Sequence, residues 1–149
     1  MVGLGIKEVA TYLLRMKKFK NYIPFRKKVP QVAVIKLTGV IAASSSLRKG
    51  LNLQGIETHL YDAFSNKRTT AVALVLNSPG GSPVQSDLIQ KRVRDVGQEF
   101  SKPIYVFCED VAASGGYWIA LAGDEIYANA SSIIGSIGVV SAGFGFKEA

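Results

Sequence analysis

The stretch Ala71-Val72-Ala73-Leu74-Val75-Leu76-Asn77-Ser78-Pro79-Gly80-Gly81-Ser82-Pro83-Val84-Gln85 decides the fold. Its first six residues are an unbroken apolar run, which predicts a strand. Asn77–Gly81 predicts a sharp turn, because proline and paired glycines set backbone angles that neither a strand nor a helix continues. Ser82-Pro83-Val84-Gln85 then predicts a helix start, with Ser82 as N-cap, Pro83 as first helical residue and Gln85 closing a capping box. Leu88, Val93, Val96 and Phe100 supply an apolar stripe for a helix that ends near Glu99.

Working outward, the same alternation repeats. Val32–Leu37 is β-branched and mostly apolar, which predicts a buried strand. Thr38–Gly50 is small, polar and basic, hence a loop, and Leu53, Ile56, Leu60 and Phe64 follow at helical spacing. On the other side, Lys102-Pro103 stops the helix and Ile104–Cys108 predicts a third strand. Glu109–Gly116 reads as a tight segment, Tyr117–Ala122 as an apolar helix closed by Gly123, and Glu125–Ala128 and Ile137–Val140 as short strands. Strands separated by helices predict an α/β domain with a mainly parallel sheet, whose strand ends carry the functional loops.

Charge divides the 149-residue chain in two. Residues 1–28 hold eight bases (Lys7, Arg15, Lys17, Lys18, Lys20, Arg26, Lys27, Lys28) and one acid, Glu8, while the remainder balances ten bases with ten acids. The net charge of +7 therefore belongs to an N-terminal arm and linker, residues 1–30, ahead of a neutral domain, 31–149. A nucleic-acid binder spreads Lys and Arg over its folded face, so no nucleic-acid partner is expected. Ile6, Val9, Leu13 and Met16 recur at helical spacing in the arm. That pattern fits a basic amphipathic helix on an anionic membrane surface, and equally a helix packed on the domain or on a sister subunit. No run in the arm is long enough to span a bilayer. Ile126–Phe146 carries no charge, but its serines and glycines predict strands and tight loops instead of a membrane helix.

The single cysteine, Cys108, excludes an intrachain disulfide and any multi-cysteine zinc site, and its apolar neighbours predict a buried thiol. No metal site or cofactor is expected. The single histidine, His59, lies in the Leu53–Phe64 helix and is expected on its surface, not as a catalytic base.

Two glycine-rich turns stand where a strand meets a helix: Asn77–Gly81 and Ala112-Ala113-Ser114-Gly115-Gly116. Helix N-termini carry unpaired N–H groups that favour negative charge, so two such turns face to face would form an oxyanion hole with Ser114 beside it. Each turn alone is also good loop chemistry, and neither has the spacing of a nucleotide-binding loop.

Asn77-Ser78-Pro79-Gly80-Gly81, Ala112-Ala113-Ser114-Gly115-Gly116-Tyr117 and Gly135-Ser136-Ile137-Gly138-Val139, in this order, resemble the signature segments of the signal peptide peptidase A family of bacterial-type serine peptidases. The resemblance covers about Gln31 to Phe146. It implies a Clp-protease/crotonase-like α/β fold of repeated strand–helix units and a Ser–Lys dyad. The nucleophile falls on Ser114, the oxyanion donors on the N–H groups of Gly80 and Gly115, and a serine that orients the lysine on Ser136. It further implies hydrophobic or signal-peptide substrates, a homo-oligomer and association with a bacterial-type inner membrane.

Apolar walls from Val111, Tyr117, Trp118, Ile133 and Ile134 are expected to supply the burial that lowers a lysine toward neutrality. The family's lysine lies several dozen residues beyond the Gly-Ser-Ile-Gly segment. Lys147, Lys36, Lys49, Lys67 and Lys102 match no catalytic motif, so the base is expected from outside this chain. The alternatives are a non-catalytic oligomeric scaffold or peptide-binding remnant and, on the shared fold, an acyl-CoA enzyme using Glu109 or Asp110.

Overall fold

The computed structural model describes residues 29–43 and 50–138. The basic arm, Lys49, Lys147 and the Val139–Val140 end of the last expected strand lie outside the described residues.

The elements run β1 (Gln31–Thr38), α1 (Leu53–Ser65), β2 (Thr69–Ser78), α2 (Pro83–Glu99), β3 (Ile104–Ala113), α3 (Gly115–Ala120), β4 (Glu125–Ala128) and β5 (Ile133–Gly135). All strands pair parallel in the order β1-β2-β3-β4. β5 adds to β3 beyond β4: β3 pairs with β4 through Tyr105–Cys108 and with β5 through Val111–Ala113. The expected α/β class and parallel sheet are thus observed.

From β1 to β4 each connection steps one strand along in the same direction. Parallel crossovers share one hand, so the helices gather on one face. There Leu37, Leu74, Leu76, Ile104 and Val106 of the sheet meet Leu60, Phe64, Ile89, Val93, Val96 and Ile119 in a single buried cluster. Arg92 of α2 pairs with Glu57 of α1 at 2.7 Å across the helix layer.

Several local expectations are corrected. β1 is not buried on both faces: Ile35 and Leu37 are in the core, whereas Val32 and Val34 are each 56% exposed. Ser82 does cap α2, accepting from the Gln85 N–H at 3.4 Å. Gln85 does not close a capping box. Its Oε1 accepts the N–H of Leu53 at 3.1 Å, while the Ser82 N–H donates to the Ile41 carbonyl. The glutamine therefore caps the neighbouring helix α1, together with Asn52, whose Oδ1 accepts the Gly55 N–H at 2.9 Å.

In α2, Ile89 is fully buried and Leu88 is exposed, because the helix meets the sheet one residue further along than the Leu88 stripe implies. β3 continues through Glu109 to Ala113, where a tight segment was expected, and α3 starts at Gly115 and not at Tyr117. After β4 a short strand forms at Ile133–Gly135, whose residues meet the free edge of Val111–Ala113, and the described part of the expected Ile137–Val140 strand, Ile137 and Gly138, is not strand.

Candidate active site

Both glycine-rich turns lie at the C-terminal ends of adjacent parallel strands, β2 and β3, and parallel pairing places those ends side by side. The ladder is irregular just before them. Leu76 pairs with Cys108 and Ser78 with Ala112, so Asn77 alone faces Glu109–Val111. The Asn77 side chain fills the gap: its Nδ2 donates to Asp110 at 3.0 Å and its Oδ1 accepts the Val111 N–H at 3.3 Å. This bulge re-aims the last residues of β3 toward the first turn.

Ser114 follows directly, with φ 53° and ψ −122°, a backbone state that non-glycine residues avoid and that stores about 1–3 kcal/mol. It is half-buried, and its hydroxyl makes no bond to its own helix. Its N–H donates to the Gly135 carbonyl at 2.7 Å and its carbonyl accepts the Trp118 N–H at 3.0 Å. Those two bonds fix the backbone on both sides, and among the described residues the Oγ has no hydrogen-bond partner.

The first turn presses on this serine. Gly80 has φ +97°, and a Cβ there would stand 2.8 Å from Ser114 Cβ and 2.9 Å from the Gly115 nitrogen. Only glycine permits that approach. A Cβ on Gly116 would come within 2.6 Å of the Ser78 carbonyl, and one on Gly115 would strike the Ser86 hydroxyl. The structure therefore brings together Ser114, Gly80 and Gly115. Gly115 opens α3, so its N–H has no intrahelical acceptor. The Gly80 N–H donates to the Ser78 hydroxyl at 3.1 Å.

Ser78, fully buried, is a residue that the sequence reading passed over. Its Oγ also donates to the Gly39 carbonyl at 2.7 Å, tying the end of β1 to the turn. Its place inside the Ser-Pro-Gly-Gly stretch was the available signal. Ser86, also fully buried, was passed over as well; it donates to the Ser82 carbonyl at 2.9 Å beneath Gly115. No periodic pattern marks it, because it serves the turn and not the apolar stripe.

Ser136 has φ 52°, is exposed, and follows directly on Gly135, whose carbonyl anchors Ser114. It thus stands at the same end of the sheet. The expected apolar walls do not close over the serine. Val111 and Tyr117 are half-buried, but Trp118 of α3 is 39% exposed, and Ile134 (39%) and Ile133 (63%) are exposed because, among the described residues, the short β5 has only β3 beside it.

The described lysines are elsewhere. Lys102 is held by the Phe64 and Asn66 carbonyls, and burial lowers its pKa. It precedes the ten-residue β3 while Ser114 follows it, so the two lie roughly 30 Å apart along the strand. Lys67 precedes β2, Lys36 projects from exposed β1, and Lys91 pairs with Asp87 at 2.8 Å. His59 lies on the exposed side of α1, as expected. Cys108 is a buried free thiol whose pKa is raised by burial. Asp110 is engaged by Asn77 and both it and Glu109 are exposed, an arrangement unlike a buried acid/base carboxylate. Among the described residues no cluster of metal-ligating side chains occurs, and no helix is long and apolar enough to cross a membrane.

Comparison with known proteins bears on this geometry. Residues 97–149 match Peptidase family S49. The chain is 54% identical over 132 residues to a Brucella melitensis protein named Na(+)/H(+) antiporter NhaA, covering 87% of this chain and 18% of that one. It is 36% identical over 109 residues to Protease 4 of Haemophilus influenzae, covering 73% of this chain and 18% of the relative. Over 121 residues it is 34% identical to an Enterococcus faecium protein named as signal peptide peptidase SppA, covering 78% and 35%. The chain thus spans between about a fifth and about a third of the length of these relatives. Among solved structures it resembles the 1510-N membrane-bound stomatin-specific protease, with TM-score 0.59 and 20% identity, over 81% of this chain and 54% of that one. That likeness is one of fold.

Proposed function

We propose, from the premise that this chain is SppA-like and carries an S49 peptidase segment, that it holds the nucleophile and oxyanion side of a serine endopeptidase site. The observation that carries the reading is the contact of the two turns at Ser114, whose strained backbone presents its hydroxyl beside Gly80 and Gly115.

In this reading Ser114 Oγ attacks a peptide carbonyl and forms the Oγ–C bond as the carbonyl becomes an oxyanion. The N–H groups of Gly80 and Gly115 receive that oxyanion. Gly80 exchanges its 3.1 Å bond to the neutral Ser78 hydroxyl for one to a charged oxygen, which is roughly twice as strong. The proton from Ser114 passes to a lysine that is not among the described residues, and Ser136 orients that lysine. The oxyanion then collapses, the peptide C–N bond breaks, and the amine leaves as the carboxyl-side fragment after taking the proton from the lysine; water attacks the remaining acyl-enzyme, the amino-side fragment departs with a new carboxylate, and Ser114 regains its proton. Exposed Trp118, Ile133 and Ile134 around the serine favour hydrophobic peptide substrates.

The test is fluorophosphonate labelling of the chain joined to the C-terminal S49 segment of the Enterococcus faecium relative. Labelling is expected, and Ser114→Ala abolishes it. Labelling that persists in Ser114→Ala sinks the assignment of the nucleophile. Absence of labelling in a folded joined chain favours the non-catalytic scaffold.

A further inference from the structure

Ser78 ends β2 with a fully buried side chain that touches three elements at once. One is the end of β1. The Gly39 N–H donates to the Asn77 carbonyl at 3.0 Å, and the Gly39 carbonyl accepts the Ser78 hydroxyl at 2.7 Å. The hydroxyl thus adds a rung beyond the last backbone pair of the β1–β2 ladder, Thr38 with Asn77. The second is the first turn of α3, where a Cβ on Gly116 would stand 3.2 Å from Ser78 Cβ. The third is Gly80, whose N–H donates to the hydroxyl at 3.1 Å.

A hydroxyl has one proton and two lone pairs. Here the proton goes to Gly39, so a lone pair faces the Gly80 N–H. That bond matters because Gly80 has no side chain and sits at φ +97°, where the Pro79–Gly80 peptide can turn with little steric resistance. Turned over, the peptide would present the Pro79 carbonyl in place of the N–H, a partial negative charge against a developing oxyanion. Distance is already favourable. A Cβ on Gly80 would stand 2.9 Å from the Gly115 nitrogen, and a Cβ is about 2.5 Å from its own nitrogen, so the two nitrogens lie at most about 5.4 Å apart. Two N–H···O bonds of about 2.9 Å reach a common oxygen from nitrogens up to about 5.8 Å apart. The glycines set the separation of the donors, and Ser78 sets the orientation of one of them.

We infer that Ser78 is a positioning residue of the oxyanion site: its buried hydroxyl, anchored to Gly39, holds the Gly80 N–H ready for the oxyanion formed at Ser114. The inference rests on the peptidase reading given above. At 3.1 Å the bond lies toward the long end of the ordinary range, and a charged acceptor outcompetes a neutral one. The hydroxyl therefore orients the donor in the free chain without withholding it from an oxyanion. Ser78 acts only through Gly80 and touches no substrate atom.

Two measurements test this. In the full chain, amide hydrogen exchange at Gly80, read by NMR, is expected to quicken at least about tenfold in Ser78→Ala, because the local bond that protects it is gone. Asp124→Asn, which lowers stability from the far end of β3, should change it less than about threefold. In the chain joined to the Enterococcus faecium S49 segment, the saturating rate of fluorophosphonate labelling is expected to fall about tenfold to hundredfold in Ser78→Ala, at or below the loss for an oxyanion donor deleted outright. The half-saturating concentration stays within about twofold, and Asp124→Asn labels at the native rate. Ser78→Cys offers a much weaker acceptor in a similar volume and should follow Ser78→Ala; it decides the matter if circular dichroism shows Ser78→Ala unfolded. Native exchange at Gly80 in a folded Ser78 variant overturns the inference. Fast exchange with an undiminished labelling rate also overturns it and leaves Ser78 as a strut of the fold. A joined native chain that takes no label refutes the peptidase reading and this inference with it, whereas a native chain that labels no faster than its Ser78 variants refutes the inference alone.

Discussion

Replacing Gly80 by alanine probes the contact on which the candidate site rests. Gly80 has φ +97°, and its new Cβ would meet the Ala113 carbonyl at 2.8 Å, Ser114 Cβ at 2.8 Å and the Gly115 nitrogen at 2.9 Å. Two terms add. Holding a non-glycine residue at positive φ costs about 1–2 kcal/mol. Forcing a methyl into three contacts, two of them with backbone that cannot rotate away, costs about 1–3 kcal/mol more. The expected loss is therefore about 2–5 kcal/mol.

Gly39 separates the terms. It has φ +105°, yet nothing lies within 4 Å of a Cβ built there. Gly39→Ala carries the backbone term alone, about 1–2 kcal/mol. The assay is urea unfolding followed by circular dichroism. With a slope of about 2 kcal/mol per molar, Gly80→Ala should shift the midpoint downward by roughly 1–2.5 M, against roughly 0.5–1 M for Gly39→Ala. Equal shifts for the two variants would mean that the first turn does not touch Ser114, and the site would dissolve as a geometric unit.

Two further outcomes test the scaffold around the site. Asp124 has a pKa lowered first by the Ile104 N–H, which its Oδ2 accepts at 2.8 Å, and then by Arg94 at 2.7 Å. A depressed folded pKa stabilises above the unfolded value near 4 and loses that contribution as pH falls through the folded value. Acid unfolding below about pH 4 should accordingly be shallower in Asp124→Asn than in the native chain, read from urea midpoints between pH 2.5 and 6. At α1, Asn52→Ala removes an almost buried N-cap and should cost about 1–2 kcal/mol. Gln85→Ala, which frees the Leu53 N–H, should cost about 0.5–1.5 kcal/mol, with thermal unfolding as the measure of both.

The architecture was legible because its signals are local and periodic. Ala71–Leu76 and Ile104–Cys108 are apolar runs between turn residues, and Leu53, Ile56, Leu60 and Phe64 mark a helix face that proves buried at Ile56, Leu60 and Phe64. The errors fall where a residue answers to a distant partner. Gln85 satisfies Leu53, 32 residues away, instead of its own helix end. Glu109–Ala113 is strand because β2 and β5 pair with it, although its composition is that of a loop. Ser78 and Ser86, both fully buried, matter through atoms of Gly39, Gly80 and Ser82 that no spacing rule connects to them.

The three glycine–serine segments, read as sequence, name the residues that can take part and the family they resemble. They do so because a sharp turn before a helix needs glycine, wherever the chain later carries it. That the segments meet is a tertiary outcome. Parallel pairing sets the ends of β2 and β3 side by side, the Asn77 bulge turns one toward the other, and Gly80 closes to within contact of Ser114. The open sheet face is of the same kind. The alternation of Val32, Val34 and Ile35 says that β1 has two faces, but only the direction of the crossovers decides which one the helices leave bare.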